Sequence, residues 1–219
     1  MLKNAHVPVG FWRSVGASQN TFFLESFIDE LAHEAGQDPY KFRRAMLERP
    51  DYLAVLDMMA EKGNWGQALP AGSGRGMAIV ETYGTVTGQV AEVTVGSDGK
   101  LKVDRIVAVV DCHHAANPNT IEQQIEGGIV FGLTAALYGE ITIKDGGPVQ
   151  GNFNTYKLLK LSETPKIETY LKLSGGPRWG GIGEPSVAPL APALCNAIFA
   201  ATGKRIRRLP LKDVDLKAV

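Results

Sequence analysis

Apolar residues recur at helical spacing from Thr21 to Ala35, where Leu24, Phe27, Ile28, Leu31 and Ala35 predict a helix stopped at Gly36. Asp38-Pro39 opens a second helix, with aspartate as N-cap and proline at the first helical position. It places Phe42 and Met46 on one face and ends before Pro50. A third helix is predicted from Asp51, through Leu53, Leu56 and Met59, to Gly63. Ahead of these, Met1 to Gln19 reads as extended or irregular, interrupted by Pro8, Gly10 and Gly16. After the glycine-rich stretch 72–76 the pattern turns to partial alternation rich in Val, Thr and Tyr. It predicts strands over 77–95 and, past an Asp98-Gly99 turn, over 101–110. A helix follows Asn117-Pro118 to about Leu137. Strand segments are expected at 141–144 and 166–173, and a last helix over 189–202 is closed by Gly203. The sum is an α+β chain: a mainly helical segment over 1–66, then a mixed sheet with packed helices over 67–219.

Composition narrows the classes. Lysine plus arginine and aspartate plus glutamate are both 23, and this balance argues against a nucleic-acid partner, which favours a basic excess. No apolar run approaches the roughly 20 residues of a bilayer span. Two cysteines, Cys112 and Cys195, form neither a disulfide framework nor a CxxC pair, so no iron–sulfur or metal site is expected from this chain. His113-His114 beside Cys112 invites a metal reading, but adjacent strand residues point to opposite faces. The basic run Lys204-Arg205 and Arg207-Arg208 reads as a solvated edge. Glycine numbers 25, and three of these, Gly127, Gly128 and Gly132, fall inside a predicted helix. Glycine costs about 1 kcal/mol there relative to alanine, so close packing against that face is expected.

Three stretches carry candidate chemistry. In GGPRWGGIGEPSVAPLAP, from Gly175 to Pro192, a flexible backbone holds one carboxylate, Glu184, ahead of a helix. A helix N-terminus favours its charged form while burial raises its pKa, the balance a general base needs. The competing assignment is a turn glutamate that caps the helix. Gln123-Gln124-Ile125-Glu126-Gly127-Gly128 offers amides that donate and accept at once beside two glycines; it reads equally as a solvated helix face. Trp12-Arg13-Ser14-Val15-Gly16 sets an arginine in a loop of small residues, able to take an anion bidentately or simply to be hydrated.

Taken in order, the arginine loop, QIEGG on a glycine-bearing helix and GxGEP before the last helix resemble the molybdenum hydroxylases, the xanthine oxidase and aldehyde oxidoreductase superfamily. The spellings GFWRSVG and QIEGGIVFGLTAALYGEITIKDG are most similar to isoquinoline 1-oxidoreductase-type β-subunits. The resemblance implies that Glu184 is the base beside molybdenum and that Gln124 hydrogen-bonds the pterin. It places Trp12, Arg13 and Gly183 at the cofactor. Val15 stands where xanthine-type enzymes carry a phenylalanine against substrate, which counts against a purine. It further implies a molybdopterin cytosine dinucleotide, water as the source of the added oxygen, and [2Fe-2S] clusters on an iron–sulfur small subunit. The Gly-Gln-Gly segment of the xanthine branch is absent, so the expected partner is a missing N-terminal half of the same subunit. Two functions follow: part of a catalytic subunit hydroxylating an N-heteroaromatic compound or aldehyde, or a truncated, non-catalytic assembly module that binds no cofactor alone. An unrelated α+β binding domain is the third reading.

Overall fold

The computed structural model describes residues 7–218. Three helices lead: α1 (Gly16–Glu34), α2 (Pro39–Met46) and α3 (Pro50–Lys62). Three long strands follow, β1 (Ser73–Thr82), β2 (Thr85–Val95) and β3 (Leu101–Asp111), then α4 (Pro118–Tyr138). A two-stranded ribbon, β4 (Ile143–Lys144) with β5 (Gly147–Pro148), precedes β6 (Lys166–Leu171) and α5 (Leu190–Thr202). The main sheet has the order β1-β2-β3-β6, antiparallel except for the parallel β3–β6 pair, so the fold is α+β.

Period-two alternation divides the sheet between two cores. Ile106, Ala108 and Val110 of β3 point to one face, where α4 (Ile125, Ile129, Leu133) and α5 (Leu190, Leu194, Ile198) close over them. Val107 and Val109 point to the other face, where α3 covers them with Val55, Leu56 and Met59. Helix α5 lies directly on β1. A Cβ built at Gly76 would stand 2.2 Å from the Ala197 nitrogen, so this close approach requires glycine. The glycine-rich stretch at 72–76 is therefore mostly strand, and β1 starts four residues before the predicted position. The predicted Asp38 cap forms as expected, accepting from Lys41 N at 2.9 Å, and the structure adds an Asn117 cap on α4 that accepts from Thr120 N at 3.2 Å.

Several expectations are corrected. Helix α1 begins at Gly16 rather than Thr21, and its apolar stripe does not face the core. Leu24, Phe27 and Leu31 are exposed, while Thr21, Glu25, Asp29 and Ala32 are buried. In α2 the buried residue is Arg43, not Phe42 or Met46. Arg43, 1% exposed, donates to Glu25 Oε2 at 3.0 Å and to main-chain oxygens of Pro39 and Glu25, so the interior here is ionic. Burial pushes the Glu25 carboxyl above its ordinary value, and Arg43 opposes that rise. The C-terminal basic run is not a free edge: Arg205 donates to Asp29 Oδ2 at 2.6 Å and Arg207 pairs with Glu30, fastening the C-terminal segment to α1. One helical stretch, 185–202, is long and apolar enough by composition to cross a bilayer, and 78% of it is buried in the core.

Candidate active site

The site forms where three distant segments meet at one end of the sheet. The first is the turn Trp12–Gly16. Ser14 and Val15 hold positive φ (73° and 47°), a region that costs a non-glycine residue about 1–3 kcal/mol. The cost is offset by what the turn reaches. The Ser14 N–H donates to Glu184 Oε1 at 3.0 Å, and the Ser14 hydroxyl donates to the Glu184 carbonyl at 2.6 Å. Next door, Arg13 Nε donates to the Gly183 carbonyl at 2.8 Å. Its NH2 reaches the Gln124 side-chain oxygen at 3.3 Å and main-chain oxygen at 3.4 Å. Trp12 stacks on Phe131 of α4 at 5.1 Å between ring centroids. Four of the residues singled out in the sequence, Arg13, Gln124, Gly183 and Glu184, are thus in one constellation with Trp12 at its border. Val15 lies exposed at the same turn.

The second segment is α4, whose glycines explain the approach. A Cβ at Gly128 would stand 2.0 Å from the Ser186 hydroxyl oxygen, so only glycine lets α4 lie against Pro185–Val187. Gly132 plays the same part against Leu190, whereas Gly127 faces open space. The expected close packing therefore holds at Gly128 and Gly132 and not at Gly127.

The third segment, 174–184, is secured along its length. Buried Asp111, the last residue of β3, accepts through Oδ1 from His113 N, Ser174 N and the Ser174 hydroxyl at 2.9–3.1 Å. His114 stacks on Trp179 at 4.7 Å, and Gly180 N donates to the Cys112 carbonyl. The turn between β1 and β2 completes the clamp: Gly181 N donates to the Tyr83 carbonyl at 2.8 Å and Thr85 Oγ1 to the Gly181 carbonyl at 2.7 Å. His113 and His114 lie past the end of β3, not within it, and both rings bond to the clamped segment. Among the described residues no cluster of His, Cys, Asp or Glu has metal-holding geometry.

Glu184 is half buried and heads a short 3-10 turn, Pro185–Val187, rather than α5 itself. Its carboxylate does not cap that turn and is held by Ser14 instead. The expected stabilisation by the α5 N-terminus is corrected accordingly. Tyr83 brings its phenol to the same carboxylate; partial burial, then Glu184, hold that phenol above its ordinary value. Sequence reading missed Ser14, Tyr83 and Ser186. Ser14 and Ser186 lie inside the quoted stretches but were given no role there, Tyr83 lies outside them, and Ser14 and Tyr83 carry the positive φ that sequence associates with glycine.

The residues present suit a flat, polar, anionic ligand. A Cβ at Gly127 or Gly183 would meet nothing, leaving two stretches of open backbone. Gln124 turns its oxygen to Arg13 and keeps its amide N–H groups as donors. Behind them Ser186 Oγ and Gln89 Oε1 are buried without a partner among the described residues.

Two family models, each described as a molybdopterin cofactor-binding domain, match residues 28–165 and 1–47. Over 94% of its length the chain is 32% identical to the isoquinoline 1-oxidoreductase β-subunit of Brevundimonas diminuta. It is likewise 32% identical to a Gluconacetobacter polyoxogenes protein named membrane-bound aldehyde dehydrogenase [pyrroloquinoline-quinone]. It spans 27% and 29% of those relatives' lengths. Among solved structures, quinoline 2-oxidoreductase from Pseudomonas putida 86 superposes with TM-score 0.81 over 93% of this chain and 52% of that one. At 14% identity, this likeness concerns the fold alone. With one family model covering more than half of the chain, the protein belongs to the molybdopterin-binding domains of the xanthine oxidase and aldehyde oxidoreductase family.

Proposed function

We propose that this chain is the C-terminal part of a molybdenum hydroxylase subunit that hydroxylates an N-heteroaromatic compound or an aldehyde with water as oxygen source. Glu184 is its general base. The observation that carries the reading is the convergence of Ser14, Arg13 and Gln124, remote in sequence, on Gly183-Glu184. A structural cap would satisfy its own turn; this carboxylate is instead aimed by a strained loop.

The cofactor, proposed to be the cytosine dinucleotide form, would supply the redox centre, and the added oxygen would come from water. Gln124, with the backbone at Gly127 and Gly183, would hold its pterin edge, and the Trp12–Arg13 turn would border it. Glu184 then takes the proton at its carboxylate. The Ser14 N–H fixes one carboxylate oxygen and Arg13 fixes the Gly183 carbonyl, so the base does not rotate away. Val15, exposed at the Trp12–Gly16 turn, leaves room for a substrate other than a purine. Electrons would leave through [2Fe-2S] clusters on a small subunit. The relative named for pyrroloquinoline quinone shares this whole stretch, and elemental analysis of the assembled enzyme separates the two cofactors.

The test is Glu184→Gln in the assembled enzyme. We expect molybdenum occupancy to stay normal and kcat to fall at least ~10²-fold; near-normal kcat at full occupancy would refute the assignment. Gln124→Ala should instead lower occupancy, since a lost hydrogen bond to a buried edge is worth about 1 kcal/mol or more. Full loading with a large loss of kcat would contradict the role given to Gln124.

A further inference from the structure

Helix α1 is amphipathic in the reverse sense. Its polar residues Glu25 and Asp29 are buried in ion pairs with Arg43 and Arg205. On the opposite side Phe23, Leu24 and Phe27 are 63%, 57% and 56% exposed, and Leu31 stands on the same face. Such a stripe normally turns to the core, and large exposed apolar patches mark an interaction surface. The face runs on into an apolar groove of about 430 Å³, lined by Trp12, Phe22, Phe23, Ala136, Val187 and Leu209. Trp12 ties that groove to the arginine turn of the candidate site.

Who covers it follows from the family match. Helices α1 and α2 both fall within residues 1–47, the whole stretch matched by one of the two molybdopterin-binding models. The relatives carry the further polypeptide, since this chain spans only 27–29% of their length. We propose, resting on the reading of this chain as part of a longer subunit, that the Phe23–Leu24–Phe27–Leu31 face of α1 is the docking surface for the remainder of the molybdopterin-binding subunit. In that arrangement α1 is a shared helix: its ionic face belongs to the body described above and its apolar face to the other domain. The docked polypeptide also closes the groove beside Trp12, so site and interface are continuous.

The probe is the part of the Brevundimonas diminuta β-subunit that this chain does not match, co-expressed with the tagged chain. Wild type is expected to capture it in near-equimolar amount, and Phe23→Asp/Phe27→Asp to capture at least tenfold less. Phe153→Asp, exposed elsewhere, should capture as wild type does. Because both α1 residues are exposed, the double variant should keep its circular dichroism and urea midpoint. If it does not, hydroxyl-radical footprinting of wild type decides: protection of Phe23 and Phe27 in the complex supports the proposal, and unchanged labelling overturns it. Failure of wild type to capture the probe overturns both the proposal and the reading it rests on, whereas undiminished capture by a folded double variant overturns the α1 assignment alone. A wild-type dimer that the double variant converts to monomer would overturn it in favour of a second copy as occupant.

Discussion

At the scale of single residues, two adjacent glycines separate packing from ligand access. Gly127 and Gly128 look alike in the sequence, and both cost α4 helix propensity. In the structure a side chain at Gly128 collides with buried Ser186, whereas one at Gly127 meets nothing. Gly128→Ala should therefore lose stability, because overpacking of about 1–3 kcal/mol exceeds the ~1 kcal/mol that alanine returns to a helix. Gly127→Ala should gain up to about 1 kcal/mol. Urea unfolding of the two variants checks both signs; equal shifts would show that the Ser186 contact is not limiting. Should Gly127→Ala stabilise the fold while lowering molybdenum occupancy of the assembled enzyme, it would place the ligand at that open backbone. The motif residues Arg13, Gln124, Gly183 and Glu184 were legible because their types and spacing are characteristic. Ser14 and Tyr83 were not, since a main-chain N–H has no sequence signature and a phenol at a hairpin turn resembles any other tyrosine.

At the scale of elements, a row of charges crosses the sheet. Arg75 of β1 faces Glu92 of β2, Glu92 faces Arg105 of β3, and Arg105 donates to Glu168 of β6 at 2.6 Å. Parallel pairing of β3 with β6 thus gains a side-chain tie in addition to its ladder. The Arg105 hydrogen bond, then that of Lys166, hold the Glu168 carboxyl down at about 2, against an ordinary 4.5. A depressed folded pKa means that the contribution is complete above about 4.5 and is lost as pH falls toward about 2. Partial exposure reduces its size through solvent screening. Glu168→Gln should therefore lower stability at pH 7 yet converge on wild type near pH 2, read from urea midpoints across that range. A constant offset at every pH would assign the loss to packing instead. Strands, turns and caps were readable from alternation and from Asp38-Pro39, Asp98-Gly99 and Asn117-Pro118. The reversed face of α1 was not, because periodicity says which residues share a side and not which side is covered.

For the molecule as a whole, the prediction is that the isolated chain neither retains the complete cofactor nor turns over. Of the loops proposed to hold the cofactor, those around Arg13, Gln124 and Glu184 lie on it, and the relatives it matches are more than three times as long. Elemental analysis and a dye-coupled oxidation assay on the purified chain check this: no molybdenum is expected until the remaining polypeptide is supplied, and stoichiometric metal with activity would refute it. The sequence by itself determined most of the elements, the Asp38 cap, the α+β class, and the motif residues that the structure brings together at the candidate site. These rest on local rules, where spacing, turn chemistry and residue type act over a few positions. Tertiary structure alone decided that Ser14 holds Glu184, that Arg43 and Glu25 form a buried pair, and that α1 shows its apolar side outward. Each depends on contacts between segments far apart in the chain, and such contacts are set by which surfaces the rest of the protein leaves to be covered.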